Sequence, residues 1–536
     1  MNNGDLPHQI PLRRQVMVAG GIIILAGLMS YSNSFAGPFV RDDVPSIVQN
    51  STIRHLEKIG SVLNPAQNSL VGGRPLVNLS YALNYAISGT SVWSYHVLNL
   101  LIHLLAGLIL FGVVRRTLLL PPLQRRFGQA ALPLAIVVTI LWIVHPLQTD
   151  AVTYISERAE SLMGLFYLLT LYGFIRGASS STPCRWFAFS ATACCLGVLA
   201  KEVIVTAPLI VLLYDRTFIS GSFSEAWRKH RWLYWALLGS WLLTIRLLAG
   251  INDRGVGYGL GISWWTYALT ECRVVAQYLC LAFWPHSLVI DHGTSWAKNA
   301  REIVPYACVL VLLMVGTTIA LYRRTAVGFL GAWVFLILTP TSSVVPIAFE
   351  PMGEHRMYLP LAALVVLFVI GVYSWIGQKS VILFSILAVT MGLATRQRND
   401  DYRTEIALWT DQMHKRPENA YAHVMVGVSL LHLGRTAEAT EQFQEAERLD
   451  QTMDMQFKGI GVGLLRNGQP TEAIKYFKAA VQMKPDSIVG HYYLGIINAQ
   501  LGMLANATAE FNKALSIDPN FEPARAQLSR LNNHNQ

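Results

Sequence analysis

Apolar residues form long unbroken runs up to about residue 396, then fall at helical spacing to the C-terminus. A run of about 20 apolar residues is long enough to cross the hydrocarbon core of a bilayer. Such runs lie at about 15–35, 95–114, 131–147, 161–177, 186–200, 203–214, 232–250, 303–321, 327–345, 360–377 and 380–395, with a further apolar segment at 266–285. The pattern predicts an all-α chain: a polytopic helical membrane domain over 1–396, then a water-soluble helical array over 397–536. The first run follows Arg13 and Arg14. It is too long for a signal-peptide core, and no small-residue cleavage pattern precedes Pro38, so an uncleaved first span is expected.

The last part repeats every 34 residues. Pro417, Pro485 and Pro519 share one register, with Gln451 in the remaining slot. Gly434, Gly468 and Gly502 recur with Ala439, Ala473 and Ala507, with Phe443, Phe477 and Phe511, and with Ala446, Ala480 and Ala514. That is the tetratricopeptide period. Glycine permits the tight turn between two helices, the alanines allow close approach, and phenylalanine plugs the gap. Units at about 417–450, 451–484 and 485–518, with flanking half-repeats, predict an α-solenoid in which each unit buries its apolar face on its neighbour.

Only 14% of residues are charged and 53% are hydrophobic, against roughly 25% charged in soluble domains. The net charge of +10 does not point to nucleic acid, because the arginines cluster at the ends of apolar runs as cytoplasmic loops require. Arg13/Arg14, Arg115/Arg116/Arg125/Arg126, Arg176/Arg185, Arg228/Lys229/Arg231, Arg323/Arg324 and Lys379 all fall on the cytoplasmic side with about eleven spans. The condition is that 266–285 does not cross and lies re-entrant or along the outer interface. The repeats then lie outside the cytoplasm. The six cysteines sit in or beside apolar runs without metal-ligand spacing.

Most of the unusual polar motifs of the membrane half fall in the external loops. Asp42 and Asp43 follow the first span, Arg74-Pro75-Leu76 lies further along that loop, and Trp93 to Asn99 leads into the second span, where His96, Asn99 and His103 share one helical face. The next external loops carry His145-Pro146, Asp150, Glu157-Arg158-Ala159-Glu160 and Lys201-Glu202, and the last carries Glu354-His355-Arg356-Met357-Tyr358-Leu359-Pro360. Each has a structural reading: a solvated loop end, a Lys201–Glu202 ion pair, a packing stripe. Together they set Asp42, Asp43 and Glu202 against Arg74, Arg158, Lys201 and Arg356. Carboxylates suit general-base work, and guanidinium and ammonium groups suit a phosphate. The combination suits displacement at a sugar carbon with a lipid phosphate as leaving group.

In this order the motifs resemble the transmembrane-and-tetratricopeptide-repeat O-mannosyltransferase family, of the GT-C glycosyltransferase superfamily, over almost the whole chain. The resemblance implies a polyprenyl- or dolichyl-phosphate-linked sugar donor, mannose or another hexose, and a hydroxyl acceptor on a protein or glycan. It implies inversion at the anomeric centre, with Asp42 or Asp43 as base and Arg158, Lys201 and Arg356 near the lipid phosphate. Arg74, Glu202, Glu354, His355 and Tyr358 would support them. No cofactor beyond the lipid-linked donor is called for, and no metal is indicated. Expected partners are membrane lipids, the lipid-linked sugar, and a protein acceptor or partner in the repeat groove. The array is shorter than in animal members, and the terminal Asn-His-Asn-Gln is not an endoplasmic-reticulum retention signal. A bacterial inner-membrane protein with periplasmic repeats is therefore expected; in a eukaryote the repeats would be luminal. The competing readings are a non-catalytic membrane scaffold that assembles envelope proteins through its repeats, and a transporter of the lipid-linked sugar. Transport ranks last, because the charges crowd one face and no paired halves are seen.

Overall fold

A computed structural model describes residues 11–534, apart from 68, 250–256, 258–261, 294–295, 298, 344, 348–349, 451–452 and 467–469. It forms two compact units that meet between Arg403 and Thr404, seven residues beyond the expected boundary, because the last membrane-domain helix continues past its apolar stretch to Asp401. Among the described residues the regular structure is all helical.

Helices of eight or more residues are numbered in chain order. The first unit holds α1 (Leu12–Ser30), α2 (Pro75–Ser88), α3 (Trp93–Leu118), α4 (Ala131–Ile143), α5 (Arg158–Ala178), α6 (Pro183–Val198), α7 (Ala207–Tyr214), α8 (Phe223–Leu248), α9 (Trp264–Phe283), α10 (Ala300–Tyr322), α11 (Ala326–Leu338), α12 (Pro360–Ile376) and α13 (Ser380–Asp401). Among the described residues, five of its stretches are long and apolar enough to cross a membrane, or six if the bent pair Pro121–Phe127 and α4 is one span. The eleven or so expected spans are therefore not all single long helices. The physical reason is local. The apolar helices α6, α7 and α11 are short, α8 carries Glu225, Arg228, Lys229, Arg231 and Arg246, and α12 and α13 are joined through one turn at Gly377–Lys379 into a single long stretch. Buried 3-10 turns such as Pro146–Gln148 extend the short helices, and departures from the α-helix are tolerated at membrane depth where protein covers the backbone.

Hydrogen bonds mark two ends of this bundle. At one, Asn399 near the end of α13 donates to Ser30 O at 3.0 Å and accepts from Thr153 at 2.7 Å, and His96 in the first turn of α3 meets Gly37 O at 2.9 Å. At the other, Thr117 and Tyr214 hydroxyls pair at 2.6 Å and Arg216 donates to Leu321 O at 2.7 Å. The helix α9 covers the 266–285 segment and has both ends near the first of these. Tyr267 donates to Thr341 O at 2.9 Å, and Ala282 O meets His145 Nε2 at 3.1 Å. It runs along that end instead of between the two.

The second unit holds α14 (Glu405–Lys415), α15 (Ala420–His432), α16 (Thr436–Leu449), α17 (Met453–Arg466), α18 (Pro470–Met483), α19 (Ile488–Gln500), α20 (Leu504–Ile517) and α21 (Glu522–His534). Gly434 and Gly502 adopt φ of 74° and 75°, a region that favours glycine. Gln451 and Gly468 lie outside the described residues. Phe443, Phe477 and Phe511 are fully buried, each against a second glycine of the period. A Cβ at Gly427, Gly461 or Gly495 would come within 2.6, 2.6 or 2.5 Å of those rings. Gly461→Ala is therefore expected to cost about 1–3 kcal/mol by overpacking, read as a lower temperature at which the repeats of the intact chain become protease-sensitive.

Candidate active site

The loop after α1 turns at Arg41, which has φ 43° and ties the loop down by donating to Ile290 O at 2.9 Å, 3.5 Å from Asp291. The two neighbouring acids then differ in environment. Asp42 is exposed and lines a cavity of about 190 Å³. Asp43 is buried and accepts from the backbone amides of Val40 at 3.0 Å and Ser156 at 2.6 Å. Burial pushes its carboxyl up to about 8, against the pull of those two amides. Asp43 thus staples the loop, and of the two acids Asp42 is the one that lines the cavity.

The cavity brings Asp42 together with Arg74, Glu157, Lys201, Glu202, Glu350, His355 and Arg356. Arg74, the residue before α2, lies 3.2 and 3.4 Å from the two Glu202 oxygens, and its Nε is buried without a partner. Lys201 is nearly buried 2.6 Å from Glu160 and 4.0 Å from Glu157. Lys201 thus pairs with Glu160 and Glu202 with Arg74, in place of the plain Lys201–Glu202 pair of the structural reading. A buried ammonium needs such partners to stay charged. Arg356 donates to the carbonyls of Thr341 at 3.2 Å, Pro351 at 2.8 Å and Glu350. The His355 ring nitrogen Nδ1 sits 3.1 Å from Asp150 and 3.6 Å from Glu157. Burial lowers the imidazole to about 4, so it is neutral at physiological pH. Desolvation pushes the Glu350 carboxyl up to about 8 despite Arg41 and Arg356.

One further sequence assignment is corrected. Arg158 is fully buried outside the cavity, donating to Asn99 at 2.6 Å, Asn84 at 2.7 Å, Tyr95 O at 2.9 Å and Ser80 at 3.1 Å, with its guanidinium 4.8 Å from the centre of the Tyr81 ring. Its donors are taken up in packing α5 against α2 and α3, which removes it from the phosphate set. Arg158→Ala would strand those buried acceptors, and a loss of about 2–3 kcal/mol is expected, measured as a lower thermal midpoint in detergent. Tyr358 points away from the cavity to His103 Nδ1 at 3.0 Å, and Glu354 accepts from Val289 N at 2.7 Å and His292 at 3.0 Å. Both brace the loop that carries Arg356. Glu157 and Glu350 were missed as cavity residues. Glu157 had a signal in Glu157-Arg158-Ala159-Glu160; Glu350 is an unremarkable loop acid in the sequence.

Tetratricopeptide-repeat family profiles match residues 401–454 and 464–531. Protein O-mannosyl-transferase Tmtc3 of Drosophila melanogaster is 26% identical over 81% of this chain and 55% of its own length. Protein O-mannosyl-transferase F38B6.6 of Caenorhabditis elegans is 24% identical over 81% of this chain and 63% of its own. The mouse protein O-mannosyl-transferase TMTC2 is 31% identical over 37% of this chain. The chain spans a little over half the length of the relatives it matches most broadly. A crystal structure of ArnT from Cupriavidus metallidurans bound to undecaprenyl phosphate aligns with 92% of this chain and 80% of its own at 15% identity, with a TM-score of 0.40. The fold and its motifs define a helical membrane protein with a tetratricopeptide array. The relatives that this chain matches over most of its length carry the name protein O-mannosyl-transferase.

Proposed function

We propose that the chain is a membrane glycosyltransferase that moves a sugar, mannose or another hexose, from a polyprenyl-phosphate donor to a hydroxyl of a protein or glycan. The observation that carries this is the single cavity in which Asp42 faces Arg74, Lys201 and Arg356. The acceptor oxygen attacks the anomeric carbon and a new carbon–oxygen bond forms. The bond to the phosphate oxygen breaks, and its electron pair leaves with the lipid phosphate. The three cations stabilise the charge that builds there, fixed beforehand by their carboxylate and carbonyl partners. Asp42 takes the hydroxyl proton. One in-line displacement inverts the anomeric centre. The reaction belongs on the extracytoplasmic face by the arginine distribution, in a bacterial inner membrane, and the repeat groove would grip the acceptor or an assembly partner.

One observation favours the scaffold reading: Arg74 and Lys201 already have carboxylate partners, with which a phosphate must compete. Mass spectrometry of envelope proteins from cells with and without this chain separates the readings. Catalysis predicts hexose additions that disappear with the chain; an unchanged glycan profile leaves only the scaffold.

A further inference from the structure

A second cavity, of about 370 Å³, lies among α3, α11 and α12 and the short helix Pro121–Phe127. Its wall is apolar, built from residues such as Leu110, Val114, Phe329, Trp333 and Leu367. The Thr117 and Tyr214 hydroxyls on that wall satisfy each other, so it offers little to a polar ligand. Among the described residues the wall carries one charged side chain, Arg126. Arg126 is exposed beside Arg125 in the last turn of Pro121–Phe127, and Arg115 and Arg116 lie in the last turn of α3.

The dimensions identify the occupant. Along α12 the cavity runs from Ala362 to Ser374, about 18 Å at the helical rise of about 1.5 Å per residue. One leaflet of hydrocarbon is about 15 Å deep, half of about 30 Å. Leu367 and Val327 on its rim are exposed, and a side chain added at Gly371 would meet nothing within 4 Å, so the groove is open at its side. Its charged end lies by the last turns of α12, whereas Arg356 precedes the first. A lipid with its head group at Arg126 is therefore a different molecule from one whose phosphate reaches Arg356.

We infer that this groove seats one acyl chain of an anionic phospholipid, with the phosphate beside Arg126. The lipid comes from the leaflet opposite the candidate active site and fills the space between α3, α11 and α12.

The test is native mass spectrometry of the full-length protein, loaded with equal amounts of dioleoyl phosphatidylglycerol and dioleoyl phosphatidylcholine. Wild type should retain the anionic lipid about fivefold over the zwitterionic one, the worth of one arginine at an anionic surface. Arg126→Gln should bring the ratio near one, and Gly371→Phe, which fills the groove, should lose both lipids. The ratio is read within one folded population, so a lower yield of a variant does not blur it. Equal retention by wild type, an unchanged ratio in Arg126→Gln, or full retention by Gly371→Phe overturns the inference. So does displacement of phosphatidylglycerol by added undecaprenyl phosphate, which would make the groove the seat of a polyprenyl tail. Sugar transfer by the same preparations reports separately on the proposed activity.

Discussion

Asp42→Asn is expected to lower sugar transfer by about two to four orders of magnitude, with membrane insertion and abundance unchanged. The amide has nearly the volume of the carboxylate but cannot take a proton from the attacking hydroxyl. Asp42 is exposed to the cavity, and its backbone amide, not its carboxylate, makes the hydrogen bond to Tyr154 that holds the loop. Asp43→Asn should behave differently. An asparagine has one acceptor oxygen for the two amides of Val40 and Ser156, so the loop loosens by about 1–3 kcal/mol. The expected readout is reduced thermal stability with partial loss of transfer. Purified variants assayed side by side check this. Normal transfer by Asp42→Asn, or equal total loss in both variants at unchanged stability, contradicts the assignment.

The second large effect is at Arg356. Removing a buried guanidinium that pairs with an anion costs about 2–5 kcal/mol, so Arg356→Ala should raise the donor concentration needed for half-maximal rate about thirtyfold or more. Arg356→Lys should recover only part of this. Lysine keeps the charge but lacks the planar fork that here also holds the carbonyls of Thr341, Pro351 and Glu350. A donor titration distinguishes this from simple loss of protein, because the acceptor dependence should move much less. Unchanged donor dependence in Arg356→Ala counts against the phosphate role.

Much of the architecture was legible in the sequence because it rests on periodicity. The 34-residue register gave the repeats, including the buried Phe443, Phe477 and Phe511. The partner glycines Gly427, Gly461 and Gly495 obey the same register but were hidden among other small residues. The membrane half was legible in its apolar runs, yet not in how those runs divide into long and short helices. A short helix continued by other buried backbone has the same apolar run in sequence as one long helix.

The site was partly legible. Arg74, Lys201, Glu202, His355 and Arg356 converge with Asp42, as their external loops suggested. Arg158 was misplaced because a buried arginine satisfied by Asn84, Asn99, Ser80 and a carbonyl has the same one-letter signature as one poised for phosphate. Asp42 and Asp43 could not be told apart because their difference is set by the positive φ at Arg41 and by the amide of Ser156, more than a hundred residues away. Glu350 joins the cavity through loop geometry alone.

The most direct test of the central claim is transfer by the purified full-length chain in proteoliposomes. The components are a radiolabelled polyprenyl-phosphate mannose donor and envelope proteins from cells lacking the chain. The account predicts alkali-labile label on protein with wild type and almost none with Asp42→Asn at equal protein. Label moved equally by the two, or by neither with mannose or another hexose donor, contradicts it.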